Sequence, residues 1–265
     1  YKADNISEID TNSVREKFQE INSSENKSEI KQVNDENGIS NEEFKSLKDK
    51  IFELEKANIP TSTIIKVLSA GLLGKGTARK LVPTRWAITA VDDTLSKEKL
   101  KKIKYFPEIS EILIFTSEYL GNNYNFLLLP DKFSFEVIEI NQNNSNAQWH
   151  DYESFSGRKT YATSVTGAYY ANRLALCEYL EKIRRQATCI VFREISEEYT
   201  QSMGVGVLRE ISRQAFTNIP KRFSNISEAL ANIQSRIKLP VSTFTDKSIL
   251  IKDYGKQNKL NKWLS

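Results

Sequence analysis

Between Glu111 and Ile140 the chain carries three runs of β-forming residues broken by two turn signals, and this stretch limits the architecture more than any other. Residues 112–120 form the first run, and Gly121-Asn122 marks a turn. Residues 125–129 form the second run, Pro130-Asp131 turns again, and Phe133, Phe135, Val137 and Ile140 mark a third. Short strands joined by tight turns predict an antiparallel meander. Downstream, residues 164–186 read as the longest helix, with Tyr169, Leu176, Leu180 and Ile183 near one face. Its last turn holds Lys182, Arg184 and Arg185, which suit the negative end of the helix dipole. Residues 187–195 read as a strand and 205–216 as a helix; 227–237 read as another helix, capped by Ser227. This order predicts an α+β fold, an antiparallel β-meander packed with helices, rather than a doubly wound sheet.

Residues 1–39 are rich in Asn, Ser, Glu and Lys and offer little to bury, so they are expected to be disordered. A short helical region is expected over 40–75. Phe44, Leu47, Ile51 and Leu54 recur at three- and four-residue steps, Pro60 closes that helix, and Thr61 or Ser62 caps a second one to about Ser69. Gly71, Gly74, Lys75 and Gly76 look superficially like a phosphate-binding loop. The Gly spacing is too short, however, and Gly76 stands where Ser or Thr is needed, so a flexible basic turn fits better. The α+β body is expected over 76–252, followed by a tail over 253–265.

Composition narrows the function classes. No apolar run approaches the roughly 20 residues of a membrane span, so no membrane partner is expected. Cys177 and Cys189 are too few for a disulfide framework or a four-cysteine zinc site, and they read as core residues in a reducing cytoplasm. His150 is the one histidine, which argues against His-based metal sites and a Ser-His-Asp triad. The formal net charge of +4 permits nucleic-acid binding without demanding it. The chain opens Tyr-Lys-Ala-Asp, with neither an initiator Met nor an apolar secretory core, and reads as one whose start is missing.

At the C-terminus, Gln257, Leu260, Trp263 and Leu264 follow a spacing that a 3₁₀ turn places on one side. A short helical knuckle would present one polar probe and an apolar plug. The pattern resembles the PCNA-interacting motif of replication and repair proteins, which implies the sliding clamp as partner. Leu264 stands where an aromatic residue is more usual. Lys256, Lys259 and Lys262 would steer the tail toward an acidic surface.

Two internal stretches extend the resemblance. Residues 79–94, Arg-Lys-Leu-Val-Pro-Thr-Arg-Trp-Ala-Ile-Thr-Ala-Val-Asp-Asp-Thr, resemble the hallmark of the Nre family of archaeal DNA repair proteins. So do Gly157-Arg-Lys-Thr-Tyr161, Thr166-Gly-Ala-Tyr-Tyr170, Arg184-Arg-Gln-Ala187, Phe192-Arg-Glu194 and Tyr199. The likeness runs from about Gly76 to the C-terminus and implies DNA repair in partnership with PCNA. Many members begin with a Cys-rich segment suggestive of zinc, which has no counterpart here. Met203-Gly-Val-Gly206 also departs from the family's more usual Gly-Val-Trp.

Several groups are candidates for chemistry. Asp92 and Asp93 are adjacent, so on a regular helix they point about 100° apart. One could face inward and pair with Arg85 in a structural ion pair while the other stays solvated, the alternative being a metal or catalytic role. Asp151 and Glu153, with Arg158 and Lys159, are expected in a long polar loop, where they could hold Mg²⁺ beside phosphate clamps or simply be solvated. Glu136 and Glu139 have odd strand spacing and should face opposite sides. His150 could be a general base beside Asp151 or a solvated loop residue. Arg158, Lys159, Tyr161, Tyr169, Tyr170, Arg173, Arg184 and Arg185 form a basic and aromatic stretch of the kind that binds nucleic acid, although Tyr169 reads as core. The sequence thus predicts a repair protein recruited by PCNA through Gln257, Leu260, Trp263 and Leu264, with Arg85, Arg158, Lys159 and Arg173 as DNA contacts. The alternative is a metal-dependent nuclease using Asp92, Asp93, Asp151 or Glu153 with Mg²⁺. A helix-turn-helix over 41–69 is weaker, since its second helix carries only Lys66.

Overall fold

The computed structural model describes residues 41–73, 81–144, 146–199 and 204–255, leaving aside the side chains of residues 41–44 and 85. The expectations for residues 1–39, for 74–77 and for the C-terminal motif lie outside the described residues.

Three helices come first: α1 (Asn41–Lys56), α2 (Thr61–Ser69) and α3 (Thr84–Ile103). Four strands follow: β1 (Ile112–Tyr119), β2 (Asn122–Leu129), β3 (Ser134–Asn141) and β4 (Gln148–Glu153). Then come α4 (Gly167–Ile183), β5 (Thr188–Ile195), α5 (Val205–Thr217), β6 (Lys221–Phe223), α6 (Ile226–Gln234) and the short α7 (Ser242–Thr245) and α8 (Ile249–Asp253). No described helix is long and apolar enough to cross a membrane.

The class is α+β, as the sequence predicts, but the strand order departs from a simple meander. β1 and β2 form the expected hairpin, closed at Tyr119 and Asn122 by a turn whose two residues both have positive φ, Leu120 at 43° and Gly121 at 75°. That geometry matches the twist of the strands. Gly121 has a second reason to lack a side chain, since a Cβ there would lie 2.5 Å from the Tyr199 backbone nitrogen. β3 then leaves the hairpin, and β5 inserts between β2 and β3, antiparallel to the first and parallel to the second. The sheet order is β4-β3-β5-β2-β1-β6. Every residue of β5 is buried, as suits a central strand covered on both faces.

Helices cover both faces of the sheet. On one face, the C-terminal half of α3 with α4 and α5 buries Leu100, Ile103, Leu176, Leu180 and Ile211 against Phe126, Phe135, Val137 and Val191. On the other, α6, α7 and α8 place Ala229, Ile233, Phe244 and Leu250 against Ile114, Leu127, Ile138 and Phe192. A third cluster joins Ile51 and Leu54 of α1, Ile64 and Leu68 of α2, Val91 and Leu95 of α3, and Leu174 of α4. Burying Thr63, Ile64, Ile65, Val67 and Leu68 commits α2 to packing, with Ser62 and Lys66 left outward, so it does not present a recognition face. The cap of α6 is Asn225, whose side chain accepts a hydrogen bond from the Glu228 amide; Ser227 lies inside the helix. α2 starts after Pro60 with no side-chain cap from Thr61 or Ser62.

Candidate nucleic-acid interface

Asp151 and Glu153 lie on β4, not in a loop, because residues 148–153 pair with β3 over their whole length. Strand alternation puts both on the face that carries Phe135 and Val137. Each carboxylate meets an arginine. Glu153 accepts two bonds from one Arg173 nitrogen, at 2.9 and 3.2 Å, and both side chains are buried. Arg173 also donates to Asp93, and its Nε donates to Ser96 Oγ at 3.1 Å. Burial pulls the Arg173 guanidinium down, but the charges of Glu153 and Asp93 outweigh it and hold the group above its ordinary range.

Asp151 accepts the backbone N–H groups of Ser164 and Val165, at 3.0 and 2.7 Å, and pairs with Arg158 at 3.0 Å. Arg158 also donates to the carbonyls of Tyr152, Thr160 and Tyr161. Its guanidinium therefore pins the loop after β4 onto the strand.

The adjacent aspartates diverge as expected, but both are paired. Asp92 is fully buried and holds Arg209 of α5 in a bidentate bridge at 2.9 to 3.1 Å; the expected pairing with Arg85 rests on a side chain outside the described ones. Burial pushes the Asp92 carboxyl up to about 6, against the opposing charge of Arg209. Asp93 is only partly exposed; it binds Lys97 at 2.7 Å as well as Arg173, so it is not the freely solvated partner that the sequence suggested. All four candidate carboxylates thus face guanidinium groups. Among the described residues no three His, Cys, Asp or Glu side chains gather into a metal-holding group.

These contacts frame a cleft of about 190 Å³ lined by Asp93, Lys97, Arg158, Lys159, Thr160, Tyr161, Tyr170 and Arg173. Three of the four predicted DNA-contact residues, Arg158, Lys159 and Arg173, meet here with one of the predicted carboxylates, although they come from α3, α4 and the loop after β4. The side chain of the fourth, Arg85, is not described. Tyr169 is core, as the sequence suggests, and burial pushes its hydroxyl above the usual range. Sequence reasoning missed Ser96, Lys97 and Arg209. The four-residue step from Asp93 to Lys97 was the available signal for one of them.

His150 points to the opposite face of β4 from Asp151 and is neither its general-base partner nor a loop residue. Its Nε2 lies 2.7 Å from the carboxylate of Glu136, which is fully buried. Glu136 also accepts from the Ser248 hydroxyl, from the Ile249 amide at 2.8 Å and from the Leu250 amide at 3.3 Å. One carboxylate therefore fastens α8 to the sheet. Glu139 faces the other way, as expected, and pairs with Arg193 at 2.9 Å.

The family model described as archaeal Nre, N-terminal, matches residues 7–149, and the one described as archaeal Nre, C-terminal, matches residues 153–263. Among curated proteins, the chain is 40% identical to DNA repair protein NreB of Archaeoglobus fulgidus, over 78% of this chain and 54% of that protein. It is 33% identical to DNA repair protein NreA of Haloferax volcanii, over 69% of this chain and 46% of that one. It is also 36% identical to DNA repair protein NreA of Archaeoglobus fulgidus, over 65% and 46% respectively. The chain thus spans about half the length of the curated relatives it matches. No solved structure matches it. With one family model matching more than half of the chain and the other most of the remainder, the chain belongs to the archaeal Nre family.

Proposed function

We propose that this chain acts in DNA repair, recruited by the PCNA sliding clamp through Gln257, Leu260, Trp263 and Leu264, with its body touching DNA at the cleft between α3, α4 and the loop after β4. The observation that supports the DNA contact is the meeting of the exposed Lys159 and Tyr161 in one cleft, with Lys97 beside them and Tyr170 beneath the Tyr161 ring. A cation for phosphate and an exposed ring for a base are what such an interface needs. The family tie supports the repair role, since the matched relatives carry the name DNA repair protein.

Recruitment works by raising local concentration. A weak motif becomes effective when its partner is a ring already on DNA. Gln257 follows Asp253, the end of α8, by four positions, and α8 is fastened to β3 through Glu136. The body is therefore held close to the clamp.

The test is calorimetry of the intact chain with PCNA, beside the Trp263→Ala, Leu264→Ala double variant. Removing both plug residues should weaken binding on the order of a hundredfold or more. An intact chain that does not bind the clamp would overturn the recruitment half of the proposal. The DNA half is read separately, from salt-dependent binding of oligonucleotides.

A further inference from the structure

The cleft has a layered wall that ends in an open ring. The Arg173 guanidinium lies 5.3 Å from the Tyr170 ring centre, and the Tyr161 ring stacks on Tyr170 at 5.2 Å with 29° between the planes. Tyr170 is buried and fixed in place, its hydroxyl accepting the Ala162 amide at 2.9 Å. Tyr161 is the outermost layer and is 48% exposed. Its backbone is held from the other side by Arg158, which donates to the Tyr161 carbonyl at 3.0 Å. A ring presented this way has a rigid support beneath it and an apolar surface in water, and a flat π system is the natural next layer.

The charges beside the ring are unequal. Arg173 and Arg158 direct their donors into the protein, and Lys97 is paired with Asp93. Lys159, two residues before Tyr161, is exposed, and among the described residues no ion pair engages it. One accessible ammonium beside one accessible ring, in about 190 Å³, fits a single base with its phosphate. Duplex DNA keeps its base faces stacked and offers only phosphates to such a site.

We propose that the cleft receives one unstacked nucleotide of single-stranded DNA, with the base on Tyr161 and the phosphate on Lys159. The inference rests on the DNA-binding reading above and adds strand state and residue roles to it. Arg158 and Arg173 are positioning residues: one holds the loop and the other backs the tyrosine stack.

The experiment is fluorescence anisotropy of the full chain with a labelled oligo-dT strand and with a hairpin duplex of equal phosphate number. Tyr161→Ala, Tyr161→Phe and Lys159→Ala are compared with the parent. Tyr161→Ala should weaken single-strand binding about tenfold, within the range for one lost base stack, and leave duplex binding unchanged. Tyr161→Phe should bind like the parent, and Lys159→Ala should lower the slope of log affinity against log salt by about one. Both side chains are exposed, and a denaturant midpoint equal to the parent's certifies each variant. Single-strand binding by Tyr161→Ala equal to the parent's would overturn the inference while leaving DNA binding intact. Thymidine monophosphate binding as tightly as the strand would overturn the strand as the source of the nucleotide. Absence of binding to either DNA would sink the underlying reading and the inference together.

Discussion

Arg173→Met is the most informative perturbation of the body, because the structure separates what each lost contact should cost. Methionine keeps much of the aliphatic stem and removes the guanidinium, which lies over the Tyr169 and Tyr170 rings. Asp93 loses a partner but retains Lys97 at 2.7 Å and is partly exposed, so this loss amounts to about 1 kcal/mol or less. Glu153 is different. Its side chain is 1% exposed, and among the described residues the hydrogen bonds to its carboxylate come from Arg173, so the variant leaves a buried anion without its partner. That situation typically costs about 3–5 kcal/mol, and the variant should lose that much stability in urea unfolding at neutral pH. Replacing both members, Arg173→Met with Glu153→Met, removes the stranded charge and should recover most of the loss. The double-mutant cycle should then show a coupling of about 2 kcal/mol or more. A single variant costing under about 1 kcal/mol, or a double variant equal to the sum of the singles, would refute the claim that this buried pair organises the cleft.

Three further outcomes follow from the packing. The family models meet within β4, so fragments 41–150 and 151–255 would divide β2 and β3 from β5; neither should unfold cooperatively alone, and mixing them should restore a sigmoidal urea transition. A cooperative transition from either fragment by itself would contradict the interleaved sheet. The Asp92 carboxyl is raised from 3.8 to about 6, so the folded state binds its proton first and this contribution to stability is lost as pH rises through 6. Stability relative to Asp92→Asn should therefore increase on acidification from pH 7 to pH 4, by up to about 3 kcal/mol, and a difference flat with pH would rule this out. Cys177 and Cys189 are fully buried, and burial pushes both thiols above the ordinary range, so a thiol reagent followed by absorbance should label them only after denaturant is added.

The sequence revealed what local rules govern. The β1–β2 hairpin was readable because its turn occupies two residues, and the helices of residues 41–69 because their apolar steps are regular. The placement of β5 was not, because a strand reaching its parallel neighbour through a long crossover leaves no turn signal. Nor was the burial of α4, whose residues 167–177 are all enclosed between the sheet and other helices, so that no single face marks the inside. The candidate site shows the same division. The residues that meet in the cleft were nameable as types, but their partners lie far away in sequence, with Asp92 and Arg209 separated by 117 positions and Asp93 and Arg173 by 80. Short spacing rules cannot see such pairs. They misplace Asp151 and Glu153 as well, because β4 is short and polar and reads as a loop until β3 is set beside it.

The two ends of the proposed function meet on the same pair of strands. On one face of β3 and β4, Asp151 and Glu153 hold the arginines that shape the cleft. On the other face, Glu136 and His150 form the pair that fastens α8 and the root of the tail. If the clamp is bound as proposed, only a few residues separate α8 from the motif, and the direction in which the cleft points would depend on how α8 is fixed to the sheet. In the reading proposed here, Glu136 then does more than stabilise a helix, because it fixes the angle at which a clamp-bound molecule presents Tyr161 and Lys159 to the strand. An orienting contact of this kind acts through geometry: loosening it would leave clamp affinity and intrinsic DNA affinity unchanged while weakening their cooperation on clamp-loaded DNA.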